Sequence, residues 1–368
     1  MDTYKKRVQE QIEQFNEKNS YQELPGIFHY WSNKYVVPML QETIGVNNNI
    51  EFFSKHFIAC LNANPAANSL LSVGCGECET EIIIASQLIQ AGIENFHFEC
   101  IDLSPISVER ALANIERENL TKFFQAHTLD LNHWSPAKTY GAIMANHSLH
   151  HITELERLFA GIKKALPPTG LFLANDMIGR NGHMRWPECE DLVKAIWAFL
   201  PDHLKYNRLF QDEAGNFRFE ETFRNRDCST EGFEGIRAQE ILPLLAKTFH
   251  FQKFLALGNL QDIFIDRCFG HNFDPSSPQD LAFIDFLELL NNLLIDLGYL
   301  KPTIMFAVMA NGTSGSTQYY RHWSPEYCIR HPDRGPGTGQ PDPRGNTLPS
   351  AGLLQPIGKF LKNFKKIS

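Results

Sequence analysis

Between residues 69 and 175, short apolar runs alternate with helical periodicity, and no other feature constrains the fold of this chain as strongly. Leu70-Leu71-Ser72-Val73 reads as a strand that stops at Gly74-Cys75-Gly76. Ile82, Ile83, Leu88 and Ile89 then follow at helical spacing as far as Gly92. Further strands are expected at 96–101, 123–129, 141–145 and 171–174. Ser104 before Pro105 marks a helix start, a cap followed by proline at the first helical position. Thr153 with Glu156 three residues on has the spacing of a capping box. Strand–helix units of this length bury both faces of a parallel sheet, which predicts an α/β, doubly wound fold.

Outside this stretch the pattern changes. Residues 1–68 read as a helical N-terminal extension that caps a ligand, and 69–310 as the core. Residues 176–235, rich in charge, aromatics and glycine, interrupt the core as a lid insertion. A sixth strand is expected at 249–257 and a last one at 303–309. Residues 311–330 form a C-terminal extension. The linker 331–352 is rich in proline and glycine, as expected of an extended tether. The tail, 353–368, places Leu353, Ile357, Phe360, Leu361 and Phe364 on one helical face, with Lys359, Lys362, Lys365 and Lys366 around it. Such a basic amphipathic segment suits docking to an anionic membrane or a protein partner.

Charge and cysteine content narrow the function classes. The 368 residues carry a net charge of −8, although positions 330–368 hold seven Lys/Arg against two Asp. The body is therefore acidic, which argues against a nucleic acid or other polyanionic partner. A charged start without an apolar run predicts no secretory signal and a cytoplasmic protein, at most peripheral to a membrane. Eight cysteines then read as free thiols. Cys75 and Cys78 have CxxC spacing, but no second CxxC completes a zinc site.

The glycine turn sits between a strand and a helix, where its meaning is clearest. Glycine lets the backbone turn tightly and approach a ligand. The third glycine of a dinucleotide fingerprint is replaced by Glu79, and Glu77 and Glu81 add further acid, so a pyrophosphate is disfavoured. A ligand with an ammonium and a carboxylate fits better. Asp102, with Leu103, ends the second strand 26 residues after Gly76, where a carboxylate accepts ribose hydroxyls. Asp130 follows the third strand and can receive an adenine amino group while Leu131 packs the ring. His150 and His151 follow the fourth strand; a histidine is the natural base there. Asp176 follows the fifth strand and can orient such a histidine. A metal held by His147, His150 and His151 lacks a carboxylate at ligand spacing, so no metal is expected. In 175–187, Arg180, His183 and Trp186 can grip an acceptor, with Arg224, Arg226 and Asp227 as weaker candidates.

Taken in order, LLSVGCGE (70–77), ECIDLSP (99–105), LDLN (129–132), NHSLHHITELE (146–156) and LPPTGLFLANDMIG (166–179) resemble the class I S-adenosylmethionine-dependent methyltransferases. The resemblance implies a mostly parallel seven-stranded sheet with a reversed last strand, and S-adenosylmethionine as cofactor. It implies that Gly74, Cys75 and Gly76 pass under the methionine part and that Asn146 and His147 line that side. Tyr30 and Trp31 would close over the cofactor. In related small-molecule O-methyltransferases, one histidine of such a pair and an acid after the fifth strand serve the acceptor. One departure stands out: many members carry an acid two residues before the first glycine, and here it is Ser72. Glu81 or a backbone carbonyl would then hold the ammonium. The expected activity is methyl transfer to a small-molecule or glycan acceptor, most naturally at oxygen. A nucleic-acid or protein methyltransferase and a non-catalytic scaffold are the alternatives.

Overall fold

The computed structural model describes residues 3–16, 23–230, 232–312 and 315–332. The tail, and all but the start of the linker, lie outside the described residues.

Five parallel strands form the body of the sheet: β1 (Ser69–Val73), β2 (His97–Asp102), β3 (Phe124–Thr128), β4 (Ala142–Asn146) and β5 (Leu171–Met177). A separate ribbon, β6 (Tyr206–Gln211) with β7 (Phe217–Phe219), lies in the insertion. Then come β8 (His250–Leu257), β9 (Ile304–Ala310) and β10 (Gln318–Tyr319). The main sheet runs β10-β8-β9-β5-β4-β1-β2-β3, and β9 is antiparallel to both neighbours. This is the expected sheet with its reversed last strand, enlarged from seven strands to eight. The addition, β10, pairs with β8 through only Gln318 and Tyr319, too short a run to show a period in sequence.

The fully buried runs of β1 and β4 need helices on both faces. The helix Asn49–Ala63 supplies Phe52, Phe53 and Phe57, all fully buried. Phe52 meets Phe306 and Phe57 meets Phe98, ring edge against ring face. Each such ring contributes about 1.5–3 kcal/mol by leaving water. Ser104 caps the helix Pro105–Arg117 as expected, its Oγ accepting from the Ser107 N–H at 3.1 Å. Thr153 does not form a capping box. Its N–H and hydroxyl donate to Asn132 Oδ1 at 2.9 and 3.0 Å, so a loop from β3 holds the next helix instead.

Register decides where the site lies. Val73 pairs with Ile101, Asp102 with Thr128, and Asn146 with Asn175. The carboxyl ends of β1, β2, β4 and β5 therefore reach one edge together. Strand order reverses at β1, between β2 and β4, which opens a crevice at that edge. The insertion packs beside it around Trp197, whose indole donates to the Glu220 carbonyl at 2.9 Å and whose ring meets Phe269. None of the eight cysteines forms a disulfide. Among the described residues, no helix is long and apolar enough to cross a membrane.

Candidate functional site

A cavity of about 940 Å³ opens at the carboxyl edge of the sheet. Gly74, Cys75 and Gly76 form one wall. Gly74 has φ +76°, and a Cβ there would lie 2.3 Å from Ser148 Cβ, so only glycine fits. The Ser148 hydroxyl donates to the Val73 carbonyl at 2.6 Å, binding the β1 turn to the β4 turn. Asp102 tightens the same loop, its carboxylate accepting from the Gly76 N–H at 2.8 Å and the Ser104 N–H at 2.9 Å. Burial raises the Asp102 pKa. Beneath the loop, Ser72 donates to the buried Glu81 carboxylate at 2.6 Å. Burial pushes Glu81 up to about 8. Glu81, from the following helix, is thus held by the serine that stands where many members carry an acid, and it does not itself line the cavity. Cys75, Cys78 and Cys100, all buried, gather at the same loop.

The far end of the cavity holds Leu103, Asp130 and Leu131. Asp130 accepts from the Tyr4 hydroxyl at 2.5 Å and from the Asn132 N–H at 2.9 Å. Tyr4 belongs to the helix Thr3–Asn16, whose Gln11 also reaches the cavity and accepts from the Phe233 N–H at 2.7 Å. Burial opposes the Asp130 charge, but the Tyr4 bond and its neighbours hold the carboxyl below its ordinary range.

On the sheet side, Asn146, His147 and Asn175 line the cavity with Asn49. The Asn175 amide donates to Asn49 Oδ1 at 3.0 Å, and its nitrogen lies 3.2 Å from His147 Nε2. His147 has φ +51°, a left-handed turn that sends the chain from β4 into the histidine pair. Burial lowers its pKa.

The third wall is a cluster of charge. Asp176, fully buried, accepts from the N–H groups of Ser148 and Leu149 at 2.9 and 2.7 Å and lies 2.6 Å from His150 Nδ1. It therefore locks the turn and orients His150. The other nitrogen, His150 Nε2, is 3.5 Å from Glu234 Oε1. His183 Nε2 is 2.6 Å from the same oxygen, and His151 Nδ1 is 3.7 Å from Glu234 Oε2. Burial opposes charge on His150, but Asp176 and Glu234 outweigh it and push the imidazole up to about 10. Burial, then the charge on His150, pushes His151 down to about 3. Glu234 is held well below the carboxylate range: burial opposes this, and the bonds to His150 and His183 prevail.

Sequence reasoning missed Glu234, and close glycine packing explains how it arrives. The Gly182 N–H donates to the Gly235 carbonyl at 2.8 Å, and the Ile236 N–H donates to the His150 carbonyl at 3.0 Å. A Cβ on Gly235 would lie 3.0 Å from the Gly182 nitrogen, so the two loops meet backbone to backbone. Tyr4, Gln11, Asn49 and Asn175 were missed too, each an ordinary polar residue in its local sequence.

Three expected positions lie elsewhere. Tyr30 is turned away from the cavity, its hydroxyl donating to Asp285 at 2.9 Å and accepting from Lys34 at 2.7 Å. Its neighbour Trp31 does line the cavity, with its indole donating to Glu288 at 2.8 Å. Arg180 and Trp186 do not line it either: Arg180 donates to the Arg185 carbonyl at 3.0 Å, and Trp186 is stacked between Arg180 and Arg330. Of that trio only His183 reaches the cavity. Arg224 and Arg226 pair with Glu220 outside the cavity.

The residues fit the expected cofactor by their chemistry. The glycine cradle admits backbone approach, Asp102 keeps lone pairs for hydroxyl donors, and Asp130 lies at the opposite end beside Leu131. Residues 48–214 match a family described as a methyltransferase domain. No curated protein matches the chain. Similar solved structures include an O-methyltransferase from a trans-AT PKS multienzyme of Brevibacillus brevis in complex with S-adenosyl-L-homocysteine. It is 14% identical, with 70% of this chain and 71% of that one covered and a TM-score of 0.36. A geranyl diphosphate methyltransferase in complex with GPP and sinefungin is 10% identical, over 70% and 76% of the two chains, with a TM-score of 0.39. The cyclase SpnF is 14% identical over 70% and 80%, with a TM-score of 0.38. The match to a methyltransferase domain spans residues 48–214, which hold the glycine loop, Asp102, Asp130 and the His150–His151 pair, and it is consistent with S-adenosylmethionine as cofactor.

Proposed function

We propose that this chain transfers a methyl group to an oxygen of a small-molecule acceptor that enters beside the histidine cluster. The observation that carries this reading is the convergence of His150, His151 and His183 on Glu234 at the cavity wall, joined to the cofactor loop through Ser148. When bound, the cofactor supplies a sulfonium-activated methyl group. The chain's own residues have three tasks: to hold the acceptor in line, to exclude water and to take its proton. We assign Asp102 and Leu103 to the ribose, Asp130 and Leu131 to the adenine, and Gly74, Cys75, Gly76, Asn146 and His147 to the methionine part. Asp176 positions His150, and Glu234 gathers the three imidazoles. The acceptor hydroxyl gives its proton to an imidazole of this cluster that is unprotonated, His151 being the one that burial and the charge on His150 keep neutral. Bound S-adenosylmethionine would supply the methyl group to the hydroxyl oxygen and retain the carbon–sulfur electron pair on sulfur, so the chain needs only to hold the oxygen in line. A cavity of about 940 Å³ is at the upper end for small-molecule sites. It suits a cofactor with a compact acceptor better than a polymeric glycan.

The test is a set of single variants, His150→Ala, His151→Ala and His183→Ala, assayed with labelled S-adenosylmethionine against a panel of hydroxylated small molecules. Each should bind S-adenosylhomocysteine within about 3-fold of the parent, and at least one should lose ~100-fold or more in turnover. Full activity in all three overturns the base assignment.

A further inference from the structure

We infer that His150, His183 and Glu234 form a binding site for a first-row divalent cation, zinc being the best match, at the acceptor end of the cavity. Among the described residues, their donor atoms all lie within 4.8 Å of one another, and all three side chains line the cavity. His150 Nε2 is 3.5 Å from Glu234 Oε1, and His183 Nε2 is 2.6 Å from it. Ligands bound at about 2.0–2.2 Å on one metal stand ~3.0–3.5 Å apart, so a shift of a few tenths of an ångström opens the site to an ion.

Two further observations support an ion there. His150 Nδ1 is bonded to Asp176, which turns Nε2 toward the site, and a carboxylate behind a ligating histidine is the usual way such a ring is fixed. The three ligands also sit on loops tied to one another by the Gly182–Gly235 and Ile236–His150 backbone bonds, so the donor set is assembled before any ion arrives. Two imidazoles and one carboxylate suit zinc, manganese or iron(II), and leave positions open toward the cavity.

The role of the ion rests on the methyl-transfer reading; its binding does not. With an ion bound, His150 and His183 would serve as ligands rather than as bases, and an acceptor oxygen on an open position would be held as its anion, its proton released to water. This favours acceptors with two neighbouring oxygens, such as a catechol, an α-hydroxy acid or a vicinal diol, over a lone alcohol.

The test uses the full chain and cobalt(II) as a visible probe. One equivalent should give a saturable d–d band, displaced by zinc(II). His183→Gln and Glu234→Gln should weaken cobalt binding at least 10-fold while S-adenosylhomocysteine still raises the melting temperature. Equal cobalt affinity in both variants overturns the site. So does a thiolate charge-transfer band that Cys78→Ser removes, because it places the metal at Cys75, Cys78 and Cys100. If cobalt binds as expected and S-adenosylhomocysteine gives no thermal shift, the cation site stands and the methyl-transfer reading fails.

Discussion

The two ends of the cavity are built in opposite ways. At the end proposed for the cofactor, Gly74, Asp102 and Asp130 each lie at or just beyond a strand end, and register alone brings them to one edge. At the end proposed for the acceptor, His150, His183 and Glu234 come from three separate loops, joined by glycine-to-glycine backbone contact. The first kind of site is as stiff as the sheet. The second depends on loops keeping their contacts, so it can change with little cost to the fold.

The largest expected effect tests the stiffness of the cofactor end. Gly74→Ala adds a methyl group against Ser148 at a left-handed φ. Backbone strain of ~1–2 kcal/mol adds to that clash. S-adenosylhomocysteine binding by calorimetry should weaken at least ~100-fold; unchanged affinity would mean the loop is not rigid. Next, Glu234→Gln should reduce turnover ~100-fold while cofactor affinity moves less than ~3-fold. A parallel fall in both would erase the distinction between the ends.

A third prediction concerns the floor beneath the glycine loop. Glu81 has an ordinary pKa of 4.5 and is pushed up to about 8 by burial. In that interval the native state keeps a proton that the unfolded chain releases. Stability is therefore full below about 4.5 and is lost as pH rises toward 8. Glu81→Gln should flatten this slope, so that the variant melts above the parent at pH 8.5, on the order of 1–3 kcal/mol more stable. Identical pH profiles by calorimetry would place the carboxyl in a wetter site.

The smallest effects concern the caps. Tyr4→Phe removes one hydrogen bond to Asp130, worth about 1 kcal/mol, so the Kd for S-adenosylhomocysteine should rise about 5-fold. Tyr30→Phe should leave that Kd within about 2-fold. The reverse order would restore Tyr30 as the closing residue.

Both outcomes follow from what local sequence can carry. Gly74, Asp102 and Asp130 stand at or within two residues of a strand end, and the His150–His151 pair begins four residues beyond β4, so strand periodicity is enough to place them at the carboxyl edge. Asp176, expected just after the fifth strand, lies inside it, because β5 runs on to Met177. Tyr30 has the residue type and position of a cap, yet a salt-bridged Asp285 from a distant helix holds it. Arg180 and Trp186 looked like an acceptor grip, but a cation–π stack uses both. Residue type alone cannot separate a side chain that binds a ligand from one that binds its own fold.

Period-two and helical patterns, with glycine at strand ends, are enough to establish a doubly wound sheet whose strand ends meet at one edge. Those patterns arise from burial along a single element, which each segment records in its own composition. Glu234 has no such record. Its place beside His150 and His183 comes from the backbone packing of Gly182 against Gly235, 53 residues apart. Contacts at that separation exist only after the sheet has brought their loops together, so this charged cluster is a property of the folded chain.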